Sequence, residues 1–211
     1  MKIITPRIEV LWTEAGETTL HRIEVAGRTA HKSEAGVSQD SAAEFVKMIV
    51  ARQHFSVLEH VVVSARVVCD RGVSHEIVRH RIASYTQEST RFCNYSEKKF
   101  GGEILFVLPS FLYGKADDDL MFQKWRHAVQ EAERTYLEMI RLGAKPEEAR
   151  SVLPNSLKTE MVMTMNLREW RHFFSLRTAT AAHPDMQIIA KSLLAEFRSH
   201  IPVVFDDVGE L

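Results

Sequence analysis

The stretch Leu157-Lys158-Thr159-Glu160-Met161-Val162-Met163-Thr164-Met165-Asn166-Leu167-Arg168-Glu169 changes its repeat partway along. Leu157, Thr159, Met161, Met163 and Met165 alternate with their neighbours, the two-residue period of a strand with one buried face. The methionines read as adaptable core, not as a functional surface. Asn166 then offers a short polar side chain where a helix can start. Glu169 stands three residues later as its N3 partner, so a helix is predicted to about Arg177.

Other segments fall into the same two classes. Arg7–Thr13, Val61–Cys69 and Ile104–Leu108 read as strands, the second β-branched and interrupted by Ser64 and Arg66, the third closed by Pro109. Thr18–His31 reads as a helix with Leu20, Ile23 and Ala26–Gly27 inward. Ser41 and Glu44 form a capping-box pattern ahead of a helix whose apolar face includes Phe45, Ile49 and Val50. A helix is predicted from about Gly72 to Ile82. Asp117–Leu142 is a long amphipathic helix, with acids Asp117–Asp119 at its positive end and Gly143 just past its end. Pro146 opens a short helix through Arg150, and Asp185–Ser199 is the last helix.

Strands and helices mix without regular βαβ alternation, and no repeat or linker divides the chain. The predicted class is α+β, a mostly antiparallel sheet flanked by helices, as a single domain over residues 1–211. No GxGxxG or Walker A motif is present, so a Rossmann-type nucleotide site is not expected.

Composition narrows the functional classes. The 211 residues are 45% hydrophobic, enough to bury a core, and carry a net charge of −1. That balance disfavours a globally basic nucleic-acid binder, so an anion site must come from local clustering of Arg and His. Cys69 and Cys93 form no CxxC pair and no zinc spacing, which fits free thiols in a reducing cytosol. No apolar run approaches the ~20 residues of a membrane span. The expectation is a soluble cytoplasmic protein. His75-Glu76 with His80 makes HExxxH, one residue too long for a zinc-binding helix face, and no metal is predicted.

The densest local clustering lies in Arg79-His80-Arg81-Ile82-Ala83-Ser84-Tyr85-Thr86-Gln87-Glu88-Ser89-Thr90-Arg91. Guanidinium groups are permanently charged and grip phosphates in bidentate fashion. On a helix, successive residues are about 100° apart, so Arg79 and Arg81 would reach different anions. From charge alone a solvated basic face, with Glu76 paired to Arg79 or His80, is the better reading. Arg168 and His172 are four apart and share a helix face, with Arg177 about half a turn away from Arg168.

The order of these residues resembles a known family. Arg-His-Arg, seven residues and then Ser is similar to the signature of the flavin-dependent (alternative) thymidylate synthases. The likeness extends to Ser56-Val57-Leu58-Glu59-His60, Gly72-Val73-Ser74-His75, Thr90-Arg91-Phe92, Ala149-Arg150-Ser151-Val152-Leu153-Pro154 and Asn166-Leu167-Arg168-Glu169-Trp170-Arg171-His172-Phe173-Phe174 with Arg177. Ordered blocks across most of the chain are far more specific than Arg-His-Arg alone. One departure is Glu76, where many relatives carry Gln.

The resemblance implies an enzyme that methylates C5 of dUMP to give dTMP. NADPH reduces FAD, 5,10-methylenetetrahydrofolate supplies the carbon, and the folate leaves as tetrahydrofolate. It implies that Ser56, Arg79, His80, Arg81, Gln87, Asn166, Leu167, Arg168 and His172 hold FAD. It places Glu76, Ile77, Val78, Arg79, Gln87, Glu88, Ser89, Thr90, Arg91, Arg150 and Arg177 around dUMP, with Arg177 polarising the uracil ring. His54 would flank the flavin, and His183 receives no role. It also implies a homotetramer with sites shared between subunits. Neither cysteine resembles the nucleophile of the cysteine-dependent synthases, so both read as structural. The rival from another class is a non-catalytic nucleotide- or RNA-binding module that stacks bases on Tyr85, Phe92 and Tyr95.

Overall fold

The computed structural model describes residues 1–38 and 40–209. It is α+β, as the sequence predicts. The chain forms two compact units. The first comprises Met1–Arg7, Val67–Arg79 and Thr86–Met161; the second comprises Ile8–Arg66, His80–Tyr85 and the chain from Val162 onward.

The strands are β1 (Lys2–Ile4), β2 (Arg7–Leu11), β3 (Val62–Asp70), β4 (Ser84–Gln87), β5 (Leu105–Val107) and β6 (Lys158–Asn166). The helices are α1 (Gly16–Thr29), α2 (Ser41–Ala51), α3 (Arg71–Ile77), α4 (Leu120–Arg141), α5 (Pro146–Ala149), α6 (Leu167–Arg177) and α7 (Pro184–His200). Four strands form a sheet in the order β2-β3-β6-β4, while β1 and β5 pair in parallel. Strands β3 and β6 run antiparallel. Leu167 N–H donates to Val61 O, the Ser64 and Thr164 hydroxyls meet at 2.8 Å, and Arg71 N–H donates to Leu157 O.

The predicted alternation of β6 is realised: Thr159, Met161, Met163 and Met165 are buried. On β3, Val63, Ala65, Val67 and Cys69 are buried while Val62 and Arg66 face out. Cys69 is a free thiol that burial pushes up to about 12, which suits packing and not nucleophilic chemistry. In the first unit Ile104, Phe106, Val129, Tyr136 and Leu157 form the core, so most of α4 meets solvent. In the second unit Trp170 and Phe174 of α6 pack with Phe197 of α7, Phe174 and Phe197 also meet Phe205, and Phe173 meets Trp170 and Phe174. No helix among the described residues is long and apolar enough to cross a membrane.

Two local expectations are corrected. Helix α3 stops at Ile77 and does not reach Ile82, so Arg79 lies on the turn that follows it and His80 and Arg81 on irregular chain, not on a helix. The ring of His80 is buried and its carbonyl accepts from the Tyr85 hydroxyl at 2.6 Å. Those tertiary demands redirect the chain into β4. Ser41 forms no capping box, because the N-cap of α2 is Asp40 and the Ser41 hydroxyl donates to Glu24 at 2.7 Å. Glu24 is fully buried on α1 and takes donors from Arg28 as well as from Ser41, since a buried carboxylate needs each of its oxygens paired.

Candidate active site

Helix α6 begins as the sequence predicts, with Asn166 Oδ1 accepting the Glu169 N–H at 2.9 Å. Its apolar face carries Trp170, Phe173 and Phe174 into the core. Its other face turns Arg168, Glu169, Arg171 and His172 toward a cavity of about 810 Å³ whose apolar walls include Phe55 and Ile82. Arg168 and His172 thus share a face and a cavity, as their spacing of four requires. Arg168 pairs with Glu59 at 2.6 Å, both exposed. Arg171 makes a bidentate pair with Asp207, 2.7 Å on each arm, and donates to Val204 O. Arg171 Nε is the buried side-chain polar atom left without a hydrogen-bond partner among the described residues.

At the C-terminal end of α6, Arg177 Nε donates to His80 Nε2 at 2.9 Å. A permanently charged guanidinium can only donate, so Nε2 carries the lone pair and the neutral ring's proton sits on Nδ1. Nδ1 lies 3.4 Å from Glu169 Oε1. The ring meets Phe173 edge-on at 4.9 Å and His172 at 5.8 Å. Burial, then the charge of Arg177 and then His172, push His80 down to about 4. Burial pushes Glu169 up, with His172 acting against it.

The depressed His80 value has a consequence for stability. Between the ordinary histidine value near 6.5 and about 4, the unfolded chain binds a proton that the folded chain refuses. Folding stability from this group is therefore complete above about pH 6.5 and is lost as pH falls toward 4, by at most about 3 kcal/mol. Glu169 acts oppositely, since its raised value lets the folded chain take up a proton first. Urea unfolding at pH 7 and pH 4.5 should show wild type losing about 2 kcal/mol more than His80→Gln. Parallel losses would contradict a neutral His80.

The His80, Glu169 and His172 ligand atoms lie within 4.8 Å of one another. The sequence spacing gave no sign of this grouping. His80 Nε2 is already bonded to a guanidinium, and that positive charge opposes a second cation beside it.

Apart from Arg177, the residues expected around the pyrimidine nucleotide belong to the first unit. Gln87 Nε2 donates to Ser74 Oγ and Thr159 Oγ1, both at 3.0 Å. Glu88 accepts from Lys158 at 2.6 Å and from the Tyr95 hydroxyl at 2.9 Å, and its N–H donates to Glu160 O. Ser89 O accepts from the Phe92 and Cys93 amides, closing the turn that carries Thr90 and Arg91. Arg150 Nη1 donates to the buried Thr90 hydroxyl at 3.0 Å, and Arg150 Nε to Glu147 O. Arg91 reaches the Glu147 carboxylate at 3.5 Å. Two guanidiniums 59 positions apart thus converge on Glu147, both exposed.

Other expected residues are placed as follows. Glu76 and Ile77 end α3, with Ile77 buried, and Val78 and Arg79 are exposed on the following turn. Arg81 is exposed, and Leu167 is buried at the start of α6. Ser56 is exposed in the 3₁₀ turn Phe55–His60, whose Phe55 and Glu59 line the cavity. His183 caps α7 through Nδ1, which accepts the Asp185 N–H at 3.3 Å. Sequence reasoning gave no site role to Glu169, Arg171 or Asp207. For Glu169 a signal existed, since it stands three before His172 on one helix. For Asp207, near the end of the chain, none did.

The chain matches the family of thymidylate synthase complementing proteins over residues 13–203. It is 36% identical over 161 residues to the flavin-dependent thymidylate synthase of Pyrococcus abyssi, covering 76% of this chain and 64% of that relative's length. It is 33% identical to that of Mycobacterium avium over 218 aligned positions, covering 94% of this chain and 83% of the relative. For Geobacter sulfurreducens the identity is 32%, over 82% of this chain and 72% of the relative.

Proposed function

The chain belongs to the thymidylate synthase complementing protein family, that of the flavin-dependent thymidylate synthases, and from this premise we propose that it converts dUMP to dTMP by reductive methylation. The co-reactants are FAD, NADPH and 5,10-methylenetetrahydrofolate. One observation carries the reading. A single helix, α6, presents Arg168 and His172 to a large cavity and holds Arg177 at its far end against a buried histidine.

The cavity fits a flavin cofactor in three respects. About 810 Å³ is the size class of cofactor sites. Phe55 and Ile82 offer apolar walls for a ring. The orphan Nε–H of Arg171 needs an acceptor, which a ligand oxygen or ring nitrogen supplies. Arg168 can also turn to a phosphate at little cost, because its exposed pair with Glu59 contributes no more than ~1 kcal/mol. Asn166, Arg168 and His172 would hold the group, near the positive N-terminus of α6.

A bound FAD supplies hydride transfer, which lets the folate leave as tetrahydrofolate. The chain's own residues do the rest. Arg91 and Arg150 bind the anionic part of dUMP. Gln87 and Glu88, whose side chains are held by Ser74, Thr159, Lys158 and Tyr95, keep the Ser89–Arg91 turn in shape. Arg177 faces the uracil ring and stabilises the negative charge that develops as C5 becomes nucleophilic. The reading includes a cytoplasmic homotetramer with shared sites.

The purified protein should be yellow and should bleach anaerobically with NADPH. With methylenetetrahydrofolate it should release tritium from [5-³H]-dUMP. A colourless protein that shifts RNA in a gel would instead favour a binding module using exposed Phe92 beside Arg91.

A further inference from the structure

His80 is buried, and both of its ring nitrogens face protein groups. Nε2 is 2.9 Å from the Arg177 guanidinium, and Nδ1 is 3.4 Å from the Glu169 carboxylate. The ring is wedged edge-on against Phe173, which is itself fully buried in the aromatic core. Its backbone carbonyl is bound by the Tyr85 hydroxyl. A ring so enclosed has both nitrogens facing protein groups. It has a fixed lone pair aimed at the one guanidinium assigned to chemistry.

Resting on the assignment of Arg177 to the uracil ring, we infer that His80 is a positioning residue, which orients the Arg177 guanidinium through the chain of contacts Glu169, His80 and Arg177. The Arg177 donor fixes the tautomer, because it can only donate to Nε2, and the Glu169 carboxylate 3.4 Å from Nδ1 favours the proton there. The tautomer leaves Nε2 as an acceptor. That acceptor holds the Nε–H edge of Arg177, so the two terminal amino groups keep a set direction. A guanidinium on a long flexible stem must be directed in this way to act in a transition state. The charges around the ring fit the role. Burial first, then Arg177 and His172 on α6, favour the neutral ring, and Glu169 on the same helix lies 3.4 Å from Nδ1.

Two substitutions separate the role from packing. Gln places its terminal amide near the position of ring Nε2 and can still offer an oxygen to Arg177. Asn is shorter, faces Glu169 and leaves Arg177 without that acceptor. His80→Asn should lower kcat about 30-fold, less than the roughly 10²–10³ lost when the group that itself meets the developing charge is removed. Its flavin content should be unchanged, and its KM for dUMP should stay within about twofold. His80→Gln should return kcat to within about threefold of wild type. In an Arg177→Ala background, His80→Asn should cost nothing further.

Nitrogen-15 NMR of histidine-labelled wild-type protein should show His80 with an unprotonated Nε2 and a protonated Nδ1. Equal losses in the Asn and Gln variants, full activity in His80→Asn, or a proton found on Nε2 would each overturn the inference. Its failure is separable from that of the functional reading. An inactive Arg177→Ala beside an active His80→Asn removes only the positioning role, whereas an active Arg177→Ala removes the assignment it rests on.

Discussion

Arg177→Ala should reduce dTMP formation by at least two to three orders of magnitude while the protein keeps its flavin. Removing one preorganised group that meets developing charge costs about 10²–10³ in kcat, or roughly 3–4 kcal/mol. Arg177 is half-buried at the last turn of α6, where partial exclusion of water strengthens its field. It is not among the residues lining the large cavity, so Arg168, Asn166 and His172 remain in place for the cofactor. The variant does leave His80 Nε2 without its donor in a buried place, at a cost to stability of about 1–3 kcal/mol. Folding should survive this, because α6 is anchored by its aromatic face. Arg177→Lys should recover a minor part of the rate, since a lysine keeps the charge but not the planar fork. Tritium release from [5-³H]-dUMP, flavin absorbance and a thermal melt, measured on one preparation, check the three parts. Near-normal tritium release by Arg177→Ala would remove the chemistry assigned to this residue.

Local sequence chemistry reveals part of this site, and long-range contacts decide the rest. The junction of β6 and α6 is legible because each signal is local. The alternation of Thr159, Met161, Met163 and Met165 marks one buried face, and Asn166 caps through Glu169. Arg168 and His172 on one face follow from helix geometry. The partnership of His80 with Arg177 spans 97 positions and has no local sign. The same contact explains why the helix expected through Ile82 ends at Ile77, since a buried His80 cannot also ride an exposed turn of α3. Strand β4, only Ser84–Gln87, was invisible because four largely polar residues carry no periodic pattern. Ser41 looked like a cap, yet the buried Glu24 claims its hydroxyl. The motif order was what raised the Arg-rich segment above an ordinary solvated face. Contacts of Arg91 and Arg150 with Glu147 tie the end of that segment to α5 within the first unit.

Trp170→Ala should be the most destabilising single change in α6, at about 3–5 kcal/mol. Trp170 is fully buried, with ring centroids 4.7 Å from Phe197, 5.4 Å from Phe174 and 5.5 Å from Phe173. Truncation opens a large void among these rings. It also removes the indole N–H that donates to Val63 O on β3 at 3.1 Å, a buried hydrogen bond. Trp170→Phe keeps most of the volume but not the donor, so it should lose less, about 1–2 kcal/mol. Urea unfolding of the three proteins at one pH measures both steps. A loss below 1 kcal/mol for Trp170→Ala would mean that this cluster does not anchor the helix. The effect should reach activity as well. An 11-residue helix does not hold its shape alone in water, so the direction of Arg168, His172 and Arg177 depends on the packed face opposite them. At a temperature where Trp170→Ala is still folded, its kcat should therefore fall further than its folded fraction accounts for. Trp170→Phe, with the ring stack largely kept, should retain most of the wild-type rate.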